Sequence, residues 1–159
     1  MPTGRSGSAG RPIALADAVT AAYARADWPG LRALYHDEAL LSTLAAQQVI
    51  VPPDELIRIL TQVTAETIYE VDEMTSRAID DDAVIVTGRI RYPLAAGGFA
   101  EGNRAWLLTF KDDLLFRTCA YTTAAKARAA YAAHGIDLGI QADLLPLVPD
   151  DPAPVPVET

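Results

Sequence analysis

Glu73 and His36 are the side chains of this sequence best placed to act as a general acid or base. Glu73 lies in the alternating segment TIYEVDEMTSRAI, and His36 lies beside two acidic residues in YHDEA. A carboxyl group in an apolar pocket has a raised pKa, which suits proton transfer near neutral pH. We treat both as candidate catalytic residues. Alternatively, Glu73 lies at the rim of the pocket and pairs with Arg104, and His36 is an imidazole on the solvated surface of the protein.

Strand alternation decides which charged side chains face the interior. If Trp106 points inward, residues two and four positions away on its strand point inward as well. Arg104 then faces Glu73 as the expected inward charged pair. The expected inward positions are Arg104, Trp106, Leu108 and Phe110, then Phe116, Thr118 and Ala120, and on the earlier strand Tyr69, Val71 and Glu73.

A competing register of the earlier strand turns Glu70, Asp72 and Met74 inward instead. We prefer the first register because it leaves Glu70 and Asp72 on the outer face. There they can form ion pairs with two arginines of the next strand, Arg89 and Arg91. Each exposed pair of this kind contributes less than about 1 kcal/mol, so these charges predict a solvated or dimer-facing surface.

Aromatic, hydroxyl and apolar side chains form a candidate ligand pocket. A concave apolar pocket with a few polar groups is the usual site for a small molecule. Ordinary core packing is the alternative for the aromatic residues. The candidate ligand-binding residues are Tyr23, Tyr35, Thr43, Arg104, Trp106, Leu108, Phe116 and Thr118.

Hydrophobic periodicity predicts the elements that position these residues. Apolar residues at helical spacing predict a helix over about 12–26, a short second helix, and a third helix in VPPDELIRILTQVTAE. Between the second and third helices, ALLSTLA predicts a strand. After Thr67 the period changes to two, which predicts four antiparallel strands. Thr122 or Thr123 then caps a closing helix that ends at Gly135. This order predicts an α+β fold with helices on one face of a curved antiparallel sheet.

Two segments resemble the nuclear-transport-factor-2-like superfamily, in particular its SnoaL-like (polyketide cyclase-like) branch. ARADWPGLRALYHDEALL is similar to that family's pattern of Asp, Leu-x-x-Leu, aromatic, acidic pair and strand. LTFKDDLLFRTCAYTTAAKARAAYAAHG is similar to its last hairpin and the following helix. The resemblance implies a cone-shaped barrel, in which a curved antiparallel sheet wraps around three N-terminal helices and a short C-terminal helix follows. Members of the superfamily are usually dimeric, so the resemblance also implies a dimer.

The resemblance argues against isomerase chemistry. Ketosteroid isomerases of the superfamily use an Asp base, a Tyr and a partner acid. The matching positions here are Thr43, Val19 and Trp106, none of which ionises near neutral pH. Loss of a general base typically lowers a rate by about 10²- to 10⁴-fold.

Composition limits the kinds of partner. The chain has 13 basic and 21 acidic residues and a net charge of -8, with the basic residues scattered. Nucleic acids and anionic membranes need a clustered basic face, so neither is an expected partner. Cys119 is the only cysteine of the sequence, and no Cys/His cluster is spaced for zinc. We therefore expect no disulfide, metal or organic cofactor, and a cytoplasmic location.

Three parts are expected along the chain. Residues 1–11 are rich in Gly, Ser and Arg, which predicts a flexible tail. Residues 12–139 predict one domain with a single core. Residues 140–159 are rich in Pro and acidic residues, which favours an extended, disordered tail.

The preferred interpretation is a homodimeric protein that binds a small apolar or aromatic molecule and dimerises through the outer sheet face. The first alternative is an enzyme of the polyketide cyclase, isomerase or hydrolase type that uses Glu73 or His36 with Tyr23. The second alternative is a protein-interaction module whose cone is filled by its own side chains.

Overall fold

The computed structural model describes residues 3–42, 50–62, 70–93, 96–140 and 155–157. Side chains are described over 10–42, 50–62, 74–91 and 96–140. In chain order the elements are α1 (Thr3–Ala24), α2 (Trp28–Ala33), β1 (Tyr35–Ser42), β2 (Ile50–Val51), α3 (Pro53–Gln62), β3 (Glu70–Asp80), β4 (Ala83–Pro93), β5 (Phe99–Lys111), β6 (Leu114–Tyr121), α4 (Ala124–His134), a 3-10 turn (Gly135–Asp137) and β7 (Val155–Val157).

The described strands form one sheet in the order β2-β1-β6-β5-β4-β3, with β7 paired to the start of β5. The four strands from β3 to β6 are antiparallel neighbours, as the period of two predicted. β1 runs parallel to β6 and antiparallel to β2. The molecule therefore has the predicted α+β architecture, with a curved sheet that does not close, N-terminal helices and a short C-terminal helix.

The sheet separates two hydrophobic cores. One side, called the helix-facing side, packs against α1, α2 and α3. The other side, called the α4 side, packs against α4. The sheet residues of the first core include Val84, Val86, Leu108, Phe110 and Leu115, and those of the second include Ala83, Ile85, Ala105, Leu107 and Cys119.

The position of α4 differs from the predicted single layer of helices. Ala127 of α4 is fully buried and belongs to the core that contains Ala105 and Cys119. The helix is so rich in alanine that no broad apolar stripe marks its buried face in the sequence. Small residues on both surfaces permit close packing, which explains why α4 can lie on that side.

Local sequence signals fix the ends of the short helices. The Asp27 carboxylate accepts a hydrogen bond from the Gly30 N–H at 3.1 Å, which caps α2, and a proline follows Trp28 at the start of that helix. α3 buries Leu56 and Leu60 on one face. Thr123, rather than Thr122, caps α4 through its hydroxyl oxygen, which accepts from the Lys126 N–H at 3.1 Å.

The two ends of the chain also differ from the predicted boundaries. α1 begins at Thr3 rather than near Pro12, and the buried Pro12 lies inside the helix. The flexibility of residues 1–11 stays a prediction. In the C-terminal segment, Val155–Val157 pairs with Phe99–Glu101 of β5, so this part of the expected tail is an added strand. Within the described ranges, no helix is both long and apolar enough to cross a membrane.

Candidate ligand-binding site

The sheet has two ends, which are called the turn end and the far end. The turn end holds the β3–β4 turn at 81–82 and the β5–β6 turn at 112–113. The far end holds the last residue of β1, Ser42, and the first residue of β5, Phe99. These two ends differ strongly in the side chains that they present to the helices.

Large apolar side chains occupy the helix-facing side at the turn end. Leu108, Phe110 and Leu115 are buried there in one cluster with Tyr35 of β1. Leu31 of α2 is fully buried in the same cluster. Protein interiors are packed about as densely as organic crystals, so this half is core. The filled-cone interpretation therefore describes the turn end.

Several small residues lie on the helix-facing side toward the far end. β4 and β5 pair without a register shift, with Val86 opposite Trp106 and Gly88 opposite Arg104. Alternation places every second residue on the same side. The helix-facing residues with little or no side chain are Gly88 on β4, Ala100 and Gly102 on β5, and Ala120 on β6. Ile90, which lies opposite Gly102, is a large residue on this side and is buried. Alternation from Trp106 also reaches Ala100 and Gly102, which were not among the predicted inward positions.

Trp106 lies at the boundary between the two halves. Its side chain is partly buried and packs against the helix-facing core, whereas Leu108, two residues along the strand, is buried within that core. Ala120 lies opposite Trp106 on β6. A large aromatic side chain therefore borders small residues at this point of the sheet.

Arg104 is buried on the same strand as Trp106. Only 7% of its surface is exposed. Alternation from Trp106 predicts the helix-facing side for this residue, and it also borders the depression beside the start of α4. Its Nη1 donates a hydrogen bond to the Asn103 carbonyl oxygen at 3.1 Å, and the residue has further interactions. The expected interior was apolar and uncharged apart from a Glu73–Arg104 pair. A buried guanidinium is therefore the main electrostatic feature of this region.

The backbone register of β3 agrees with the preferred pairing. Val71 lies opposite Ile90, while Asp72 lies opposite Arg89. Glu73 falls at a register shift between Asp72 and Thr75. The Glu73 side chain lies outside the described side chains, so its proposed pairing and catalytic role stay predictions.

Tyr23 lies on α1, and Tyr35 is the first residue of β1. Both pack in the helix-facing core, and the Tyr23 ring meets the Trp28 ring edge-on with centroids 5.8 Å apart. Burial raises the pKa of Tyr35 well above its usual value, and the nearby Tyr23 adds to the rise. Tyr35 is therefore a neutral phenol at physiological pH, able to donate a hydrogen bond but not to act as a base.

A polar pair links β1 to β6 where β1 ends. The Thr118 Oγ1 accepts a hydrogen bond from the Ser42 N–H at 2.8 Å, and the two hydroxyl oxygens are 3.3 Å apart. Thr118 lies opposite Leu108. Thr43, the next residue after Ser42, lies outside the described residues, so its predicted role is untested.

His36 lies at the turn end, at the opposite end of the sheet from Arg104. Its Nδ1 accepts a hydrogen bond from the Glu38 N–H at 3.0 Å, which places the proton of the neutral ring on Nε2. The Nε2 atom is 3.6 Å from the Asp112 carboxylate. These contacts give His36 a structural role in the β1 strand, and its predicted catalytic role stays a prediction.

Phe116 does not follow the predicted alternation. A register shift between Thr109 and Phe110 places Leu115 opposite Phe110, and Leu115 takes the position in the helix-facing core. The Phe116 ring instead meets the His36 ring at 5.3 Å and lies 3.9 Å from the Arg117 guanidinium carbon. The expected inward position of Phe116 was therefore wrong, because a β-bulge changes the side to which the following residues point.

Arg117 is a second buried guanidinium, on the α4 side. Its Nη1 donates to the Glu38 carbonyl oxygen at 3.0 Å and to the Phe116 carbonyl oxygen at 2.9 Å. Burial lowers the pKa of Arg117, an effect that the nearby Asp137 and Glu38 oppose. The outward positions predicted for Arg117 and Cys119 are confirmed. This arginine joins β6 to β1 and lies on the other side of the sheet from Trp106.

A shallow depression of about 320 Å³ lies where β5 meets the start of α4. Its lining consists of Thr87, Gly88, Asn103, Arg104, Ala105 and the residues at 122–124. The Thr123 hydroxyl is already engaged in capping α4. Arg104, one of the predicted ligand-binding residues, therefore borders this depression. Among the described residues, no group of three or more His, Cys, Asp or Glu side chains could hold a metal ion.

Solved structures share this fold. A candidate polyketide cyclase from Xanthomonas campestris is 16% identical, covers 77% of this chain and 97% of its own, and has a TM-score of 0.59. A nuclear-transport-factor-2-like protein from Burkholderia xenovorans is also 16% identical, covers 76% and 96%, and has a TM-score of 0.60. A Mycobacterium tuberculosis protein in complex with estradiol-17β-hemisuccinate is 10% identical, covers 72% and 95%, and has a TM-score of 0.53.

These likenesses show that the chain has the nuclear-transport-factor-2-like fold, as its two sequence motifs predicted. No family model and no curated protein matches the sequence. At identities this low the likeness extends to the fold alone, and one fold serves many unrelated functions.

Proposed function

We propose that the protein binds a small apolar or aromatic molecule on the helix-facing side, between Trp106 and the far end of the sheet. The observation that carries this proposal is a change in side-chain size along one side of the sheet, from buried Leu and Phe at the turn end to several Gly and Ala near Trp106. Ile90 is a buried large residue among these small ones. A hollow bordered by an aromatic wall and a few polar groups is the usual form of a small-molecule site. The M. tuberculosis protein, which shares the fold, holds a steroid derivative.

The residues near this hollow favour binding over proton transfer. Val19 and Trp106 stand where the resemblance would place two catalytic groups, and both pack against the core. The buried Tyr35 keeps its proton because its pKa is raised. The proposal therefore does not require turnover of the ligand.

A fluorescence titration with N-phenyl-1-naphthylamine, a neutral apolar dye, tests the proposal. We expect the dye to brighten when it binds the wild-type protein. Ala120→Leu places a larger side chain in the hollow and is expected to weaken binding by about tenfold or more. Ala129→Leu makes the same change on the exposed face of α4 and should leave binding unchanged. Absence of dye binding, or equal binding by the Ala120→Leu protein, would contradict the proposal.

We also propose that the chain forms a homodimer through the outer patch, defined as Arg89, Arg91, Phe99 and Glu101. The Arg89 Nε is 2.7 Å from a Glu101 carboxylate oxygen, and the Arg91 guanidinium lies 4.2 Å above the Phe99 ring. Phe99 is 36% exposed. An exposed large apolar residue beside ordered charges is typical of a surface that a partner covers.

Light scattering coupled to gel filtration tests the homodimer. The wild-type protein is expected at twice the chain mass of 17.0 kDa. Phe99→Glu introduces a charge into the outer patch and should shift the protein toward the monomer, whereas Lys126→Glu on exposed α4 should not. A monomeric wild-type protein at micromolar concentration would rule out this interface.

A further inference from the structure

We infer that the first three residues of β5, Phe99–Glu101, form a strand-addition site for an extended peptide, and that the chain's own Val155–Val157 is an exchangeable occupant of this site. The inference concerns main-chain groups at an edge of β5. It therefore does not depend on the hollow or on the outer patch, which are defined by side chains. The partner that fits is an extended segment with a proline at its middle position.

The edge of β5 that faces β6 is open at the start of the strand. Within the described ranges, the pairing of β6 with β5 begins at Ala105 and continues to Lys111. The opposite edge of Phe99–Glu101 is covered by β4. An open sheet edge presents main-chain N–H and C=O groups that an extended segment can pair with. Val155–Val157 takes this place in antiparallel orientation.

Two prolines determine which amide groups of β5 face the added strand. Pro93 of β4 lies opposite Phe99, and Pro156 of β7 lies opposite Ala100. Opposite residues of an antiparallel pair alternate between hydrogen-bonded and non-hydrogen-bonded positions, and proline has no N–H to donate. Both prolines fit if Ala100 bonds to β4 while Phe99 and Glu101 bond to β7. The reverse arrangement would need an N–H from each proline.

The same geometry defines the kind of peptide that the site accepts. The residues at the positions of Val155 and Val157 must each donate an N–H to β5, whereas the residue at the position of Pro156 need not. A proline at the middle position leaves no N–H on the outer edge of the added strand, which disfavours pairing with a further strand. The site therefore fits a single extended segment of the form X-Pro-X.

The short length of β7 makes its occupant exchangeable. The net gain from one hydrogen bond in water is of the same order as the conformational entropy lost when one residue is ordered. A strand of three residues that is added to an edge is therefore close to balance between the paired and the released state. A free peptide with the same main-chain pattern can then compete for the edge of β5.

Amide hydrogen exchange of the full chain, followed by NMR, tests the pairing. The amides of Phe99 and Glu101 are expected to exchange slowly in the wild type. Val155→Pro removes the N–H that meets Glu101 and should speed exchange at these two amides by about tenfold or more. The Ala100 amide bonds to β4, so its rate should stay unchanged and report an intact sheet.

Pro156→Ala is the matched control, because the added N–H lies on the outer edge and should leave all three exchange rates unchanged. Fast exchange of Phe99 and Glu101 in the wild type would overturn the inference. Unchanged rates in the Val155→Pro protein would overturn it as well.

A free peptide of sequence PAPVPVET, which is residues 152–159, tests whether the occupant can be exchanged. At about millimolar concentration it should slow exchange at Phe99 and Glu101 in the Val155→Pro protein. A peptide that carries both Val155→Pro and Val157→Pro should have no effect. The wild type should respond less, because its own strand competes. If the free peptide does not slow exchange in the Val155→Pro protein, β7 is a fixed part of the sheet and the inferred peptide site is wrong.

Discussion

The turn end and the far end of the sheet share the same strands and the same helix-facing side, yet they carry side chains of different size. At the turn end, Leu108, Phe110 and Leu115 are buried among helix residues. Toward the far end, Ala120 lies opposite Trp106 and Gly102 opposite the buried Ile90. One continuous strand can therefore carry large side chains in one half and small ones in the other, because alternation fixes direction but not size.

Truncation at the turn end is expected to have the largest effect on stability. Phe110→Ala should lower the free energy of unfolding by about 3–5 kcal/mol, since Phe110 is 3% exposed and its loss leaves a cavity in packed core. Denaturant unfolding followed by circular dichroism measures this change. A loss below about 1 kcal/mol would show that the turn end is loosely packed and would remove the contrast between the two ends.

Enlargement of an alanine distinguishes the far end from a filled core. Ala105→Leu adds volume on the α4 side, where Ala105 lies in the core beneath α4, and should cost about 1–3 kcal/mol through overpacking. Ala120→Leu adds the same volume in the proposed hollow and should cost less than about 1 kcal/mol. The same unfolding experiment compares the two variants. Equal losses would mean that the far end is as full as the opposite core.

Measuring the free energy of unfolding as a function of pH tests the burial of Tyr35, whose phenol lies at the turn end. Because burial raises its pKa above the usual value of 10, the folded protein holds this proton at a pH where the unfolded chain loses it. The stabilising effect is complete below about pH 10 and is lost as the pH rises further. The free energy of unfolding should fall between pH 9 and pH 11 in the wild type, and this fall should be about 1 kcal/mol smaller in the Tyr35→Phe variant. An identical loss in both proteins would show that Tyr35 ionises in the folded state.

Patterns that depend on local spacing were predictable from the sequence. The capping residue Asp27 and the proline that follows Trp28 fix the start of α2 through short-range hydrogen bonding and a fixed φ angle. The period of two predicted the strands from β3 to β6, and alternation from Trp106 placed Leu108 on the correct side.

Features that depend on pairing between distant segments were not predictable. The bulge at Thr109 and Phe110 arises from how β5 meets β6, and it changed the direction of Phe116. The side of the sheet against which α4 packs depends on contacts between alanines, which leave no periodic pattern in the sequence. The pairing of Val155–Val157 with β5 joins two parts of the chain more than 50 positions apart, a long-range contact that local composition does not encode.

A crystal structure of the complex with N-phenyl-1-naphthylamine tests the central claim most directly. We expect the naphthalene ring against Trp106, over Ala120 and Gly102, and between the sheet and the N-terminal helices. Dye bound at the depression beside Thr123, or on the outer patch, with side chains of the protein filling the space next to Trp106, would contradict the claim.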